Sequence, residues 1–165
     1  MWNRGCGVGK RARTDNRTKV HDTESQDMTI LVALSRRHVR EHVLEVGIRL
    51  ARALGRELYI VHLVEGTEQT GGPSQIRREL QARVIEENVV ATIDVETVDS
   101  TLARTAPQFG EELLALAADR EVSHIVVGHT AKPVIEDLTQ GTTAFTVVDD
   151  ATVPVTIVPG ERSTD

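Results

Sequence analysis

The chain has one cysteine, Cys6, so no internal disulfide can form, and no paired-cysteine motif is present. No apolar run approaches the roughly 20 residues of a membrane-spanning helix. The amino terminus carries charge without the apolar core of a secretory signal. A soluble protein of the reducing cytoplasm is the expectation. Lysine is scarce, three residues against 16 arginines, and aromatic residues make up only 2% of a chain with 25 acidic residues. That balance suggests a salt-adapted cytoplasm, in which an acidic surface keeps proteins in solution. Missing too are a G-x-S-x-G elbow, a cysteine nucleophile beyond the amino-terminal tail and a complete Walker loop, so no catalytic set is visible.

The net charge of -6 is unevenly placed. Residues 1–27 hold six basic and four acidic residues, a net of +2, which leaves about -8 on the remainder. An acidic body argues against a nucleic-acid groove, which needs clustered lysine and arginine to neutralise phosphates. Residues 1–27 also show neither helical nor strand periodicity and read as a disordered tail. Gly5-Cys6-Gly7-Val8-Gly9-Lys10 resembles a phosphate loop only superficially, with no strand before it and the wrong spacing. Met28 immediately precedes the first strand, so the expectation is that the tail reflects a mis-chosen start codon, with Met28 as the true initiator. Residues 28–160 then form one domain, for which 39% hydrophobic residues supply a core, and residues 161–165 a short carboxyl-terminal tail.

Within the domain, apolar runs alternate with amphipathic stretches. Residues 29–34 form a continuous apolar run, as in a strand buried on both faces. The spacing of Val43, Val46, Gly47, Leu50, Ala51 and Leu54 predicts a helix over about 40–54 that Gly55 ends with a left-handed cap. Residues 57–64 are apolar on both sides and read as an interior strand. Ser74 is expected to cap a helix over about 75–87 that buries Ile76, Leu80 and Val84. In residues 91–98, Ile93 and Val95 alternate with Thr92, Asp94 and Glu96, which predicts an edge strand. Thr105 and Gln108 form a capping box, with Pro107 in the first turn of a helix that turns Phe109, Leu113, Leu116 and Ala117 inward. Such alternation implies an α/β fold, a parallel sheet with helices on both faces.

The organising stretch is residues 123–143. Ser123-His124-Ile125-Val126-Val127-Gly128 is an unbroken apolar strand ending in glycine. His129, Thr130 and Ala131 follow, then nine residues, then Gly141-Thr142-Thr143 opening a helix over about 142–150. Unpaired N–H groups at that helix start carry the positive end of the helix dipole and can receive a phosphate. On the residues alone, Gly128 and Gly141 serve equally well as tight-turn residues with no ligand.

Gly128, two residues, Ala131, nine residues and then Gly141-Thr142 has the spacing of the nucleotide loop of the universal stress protein family, which this chain resembles over roughly residues 28–160. The Ile-Val-Val-Gly strand and the closing Val153-Pro154-Val155-Thr156-Ile157-Val158 are also similar. The resemblance implies an open five-stranded parallel sheet, Rossmann-like and similar to the adenine nucleotide alpha hydrolases, with strand order 3-2-1-4-5. It also implies a regulatory or protective module whose crevice between the first and fourth strands suits ATP, with Mg²⁺, or another adenine nucleotide. The lips would be Ala33, Leu34 and Ser35 against Val127 and Gly128, with Leu63 near the adenine and Gly141, Thr142 and Thr143 on the phosphates. Val153, Val155 and Ile157 would pair across a twofold axis in a homodimer.

Two residues depart from the family pattern. Ser35 stands where nucleotide-binding members usually have Asp, and it can neither make a charge-assisted bond nor serve a metal as a carboxylate would. Ala131 replaces a glycine; at a positive φ this costs on the order of 1 kcal/mol. Glu136 and Asp137 add negative charge to the loop, and Lys132 offsets one of them. Two alternatives therefore stand beside the nucleotide-binding module. One is a dimeric interaction domain that binds no nucleotide, and the other a weak ATP-hydrolysing enzyme using His129, Lys132 and Thr142. His38-Val39-Arg40-Glu41-His42 matches the inverted zinc-protease signature H-x-x-E-H, but no third ligand is identifiable and exposed first-turn residues are the expectation. His62 and His124 lie within strands and are expected to be hydrogen-bonded or partly covered.

Overall fold

Strands and helices alternate as β1 (Ile30–Leu34), α1 (Arg37–Leu54), β2 (Leu58–Glu65), α2 (Gly72–Glu86), β3 (Ala91–Val98), α3 (Ala106–Asp119), β4 (His124–His129), α4 (Thr143–Asp150) and β5 (Val155–Pro159). The structure is a computed structural model and describes residues 29–34, 37–65, 72–98, 106–129 and 143–160. All neighbouring strands pair in parallel, in the order β3-β2-β1-β4-β5 implied by the resemblance. The polar alternation of β3 puts it at one edge as expected, and β5 forms the other.

The period of two along each strand splits the core into two layers. Ile30, Val32 and Leu34 of β1 join Leu58 and Ile60 of β2 under Val43, Leu44 and Ile48 of α1 and Leu80 and Val84 of α2. Leu31 and Ala33 face the other way, with Tyr59, Val61, Ile125 and Val127, against Leu113 and Ala117 of α3 and Ala144 and Val147 of α4. Each fully buried aliphatic side chain contributes roughly 1.5–3 kcal/mol. Arg40–Glu79 at 3.5 Å joins α1 to α2, and Arg52–Glu87 at 2.7 Å joins α1 to the residue just past the end of α2. Each pair keeps one half-exposed partner and contributes about 0–1 kcal/mol, so apolar burial holds the layers.

Three helices end alike. Gly55, Asn88 and Glu121 take positive φ, and the next residue's N–H in each case bonds back five residues, Arg56 to Ala51, Val89 to Val84 and Val122 to Ala117, at 2.9–3.0 Å. This left-handed exit satisfies the last helical carbonyls and drops the chain into the following strand.

Some boundaries and faces differ from expectation. Helix α1 starts at Arg37, three residues before the predicted start, and buries Leu44 and Ile48 as well, while Leu54 is 52% exposed. Leu54 is the last residue before the Gly55 turn and has run past the sheet. Helix α2 starts at Gly72, so Ser74 lies inside the first turn and is not its cap. Pro73 is tolerated there because first-turn N–H groups have no intrahelical acceptor. Strand β5 starts at Val155; Val153 precedes it and, with Val155, packs against the second core layer. Thr105 of the expected capping box lies outside the described residues.

Candidate functional site

The candidate site lies where β1 and β4 part. They are neighbours in the sheet, with Ala33 paired to Val127, yet β1 leads to α1 on one face while α4, the next helix after β4, packs on the other. Helices diverging from adjacent strands leave a crevice beyond the carboxyl ends of both. Ala33, Leu34 and Val127 are buried at its lips, and Gly128 is half-buried and presents only backbone. These four uncharged residues suit the flat, apolar body of a heterocycle, not a charged group. Leu63 continues β2 one position past His62, which pairs with Leu34, so its backbone stands beside the β1 end. Ser35, Ala131, Gly141 and Thr142 lie outside the described residues.

Phosphate affinity would come from α4. Thr143 opens that helix, and Ala144 and Val147 anchor it in the second core layer. The first turn is fixed from two further sides. Phe145 meets the His129 ring at the end of β4 edge-on, with centroids 5.5 Å apart. Gly110 of α3 lies so close that a Cβ there would stand 2.7 Å from Thr146 Cβ and 3.3 Å from the Thr143 carbonyl oxygen. Gly110 was not singled out by the sequence pattern; its one signal is a glycine inside an otherwise apolar helical period. The start of α4, the positive end of its dipole, is thus held beside the β4 lip.

The histidines separate clearly. His62 is the buried polar residue among the described residues, at 4% exposure, and its Nδ1 lies 3.1 Å from the Leu34 carbonyl oxygen. His124 stands near the start of β4, at the opposite end of the sheet, 2.8 Å from the Thr156 hydroxyl, and burial lowers its pKa. Glu41 and His42 of the H-x-x-E-H match are exposed on the first turns of α1, and no three His, Cys, Asp or Glu side chains gather among the described residues. An open groove on α3 is lined by Gln108, Glu111, Glu112 and Ala115, and its two carboxylates oppose phosphate. No helix among the described residues is long and apolar enough to cross a membrane.

The sequence profile described as the Universal stress protein family matches residues 28–159. No curated protein matches the chain in sequence. Among solved structures, a protein from the universal stress protein family of Burkholderia pseudomallei is 24% identical, with a TM-score of 0.53 over 82% of this chain and 98% of that one. A universal stress protein in complex with cAMP is 17% identical, with a TM-score of 0.59 over 81% of this chain and 98% of that one. The universal stress protein of Archaeoglobus fulgidus in complex with dAMP is 20% identical, with a TM-score of 0.51 over 79% and 96%. At these identities the likeness establishes the fold.

Proposed function

The chain belongs to the universal stress protein family, and from that premise we propose that it is a non-catalytic regulatory or protective module of the cytoplasm that binds ATP or another adenine nucleotide. The observation that carries the reading is the switch point itself, uncharged lips from β1 and β4 with the start of α4 held alongside. The cAMP and dAMP complexes of similarly folded proteins support the same ligand class. In this reading Ala33, Leu34, Val127 and Gly128 contact the nucleoside, and Leu63 flanks the adenine. Gly141, Thr142 and Thr143 hold the phosphates through backbone N–H and hydroxyl groups. Ser35 and Ala131, standing for the usual Asp and Gly, weaken the site relative to nucleotide-binding relatives.

The test is calorimetric titration of the chain with ATP and Mg²⁺, at low and molar salt, beside a Gly141→Ala, Thr142→Ala double variant. Micromolar binding that the variant loses supports the reading. No binding to either protein would reassign the loop to structure alone.

A homodimer through β5 is part of the proposal. Among the described residues that strand is a sheet edge with no strand on its outer side, Ile157 on it is 38% exposed, and Phe145 and Val148 of the neighbouring α4 are 53% and 44% exposed. The same apolar group favours the second reading, an interaction domain without nucleotide. A monomer by light scattering at working concentration would exclude the β5 dimer in either reading.

A further inference from the structure

His62 occupies a position where the pattern of its strand calls for an apolar side chain. Leu58 and Ile60, on the same side of β2, are buried in the first core layer at 1% and 0% exposure. His62 continues that row at 4% exposure, in register with Leu34, the last residue of β1. Placing an imidazole in such a core is costly unless its polar atoms are bonded. Its Nδ1 lies 3.1 Å from the Leu34 carbonyl oxygen. A carbonyl can only accept, so Nδ1 carries the proton and donates it, which fixes the tautomer and the ring.

The acceptor is what gives this bond a consequence for the site. Leu34 is fully buried at the β1 lip of the crevice, and the chain enters α1 three residues later, at Arg37. A peptide group is planar, so holding its carbonyl holds the whole unit and the direction in which the strand leaves the sheet. We propose that His62 is a positioning residue for the nucleotide crevice: through the Leu34 carbonyl it holds the carboxyl end of β1 in the arrangement that forms one lip. The assignment rests on the nucleotide-binding reading above. His62 itself touches no nucleotide in this account.

The experiment compares full-length wild type with His62→Asn, His62→Leu and Val84→Ala by calorimetric titration with ATP and Mg²⁺, each protein also followed by thermal melting. Asn presents an amide N–H where Nδ1 stands, so His62→Asn keeps nucleotide affinity within about threefold of wild type. His62→Leu fills the core without a donor and loses tenfold or more in affinity while still melting cooperatively. Val84→Ala, a core truncation in the last turn of α2, lowers the melting temperature and leaves affinity unchanged, which separates positioning from general loss of stability. Should His62→Leu fail to fold, His62→Gln, whose amide reaches the Nε2 position, is read in its place with the same tenfold loss expected. Wild-type affinity in His62→Leu, or an Asn variant as weak as the Leu variant, would overturn the assignment and leave the nucleotide reading standing. A wild type that binds no ATP would remove both.

Discussion

Gly47 has no side chain at the point where α1 crosses β1. A Cβ there would lie 2.6 Å from Cγ2 of Val32, a fully buried residue. Valine is stiff at χ1 and its neighbours are packed, so the helix would have to lift. Gly47→Ala therefore destabilises by about 1–3 kcal/mol through overpacking, which outweighs the roughly 1 kcal/mol that alanine gains in a helix interior. Urea unfolding measures the difference. His124 makes a second prediction at this scale. Burial lowers its pKa below the ordinary value of 6.5, so the fold favours the neutral ring and the unfolded chain binds the proton more tightly. Its contribution to stability is full above about pH 6.5 and is lost as the pH falls through the lowered value. A His124→Gln variant should show a shallower loss of stability than wild type between roughly pH 7.5 and 5. Parallel slopes in the two proteins would contradict the assignment.

At the scale of elements, the shared helix exit supplies the test. Gly55 and Asn88 suit the left-handed conformation, but Glu121 adopts it at φ 50 with an ordinary side chain. Glu121→Gly should raise stability by about 0.5–1 kcal/mol, read as a higher urea midpoint at unchanged slope. The strands were the most legible elements. Runs such as Ile30 to Leu34 in β1 and Ile125 to Val127 in β4 are apolar at every position because both faces of the sheet are covered, whereas the alternation of β3 marks an edge. Helix starts were less legible. The first turn of α1, beginning at Arg37, is polar and resembles a loop, and the Gly72-Pro73 pair reads as a breaker although it opens α2. The strand lips of the crevice were legible from fold logic. Gly110 and His62 were not, because their importance comes from Thr143, Thr146 and Leu34, contacts that join segments 28 or more residues apart and leave no trace in local periodicity.

For the whole molecule, the topology gathers the elements of the candidate site at one end of the sheet. The carboxyl ends of β1 and β4, with the start of α4, lie at that end. The amino-terminal ends, with His124 bonded to Thr156 and Ser123 N–H bonded to the Thr29 carbonyl at 2.9 Å, close the other. The acidic surface implied by the net charge of -6 repels nucleotides at long range. Salt screens that repulsion, since the Debye length shrinks from about 10 Å at 0.1 M to about 3 Å at 1 M. Nucleotide affinity should therefore hold or improve in molar salt, in contrast to a basic site. The most direct measurement is a titration of the isotopically labelled chain with ATP and Mg²⁺ followed by backbone amide chemical shifts. The account predicts saturable shifts confined to Ala33, Leu34, Leu63, Val127, Gly128, Gly141, Thr142 and the first turn of α4, with Ile30, Leu58 and His124 unmoved. Shifts centred on the β5 edge or spread across the sheet, or none at millimolar ATP, would contradict a nucleotide crevice between β1 and β4.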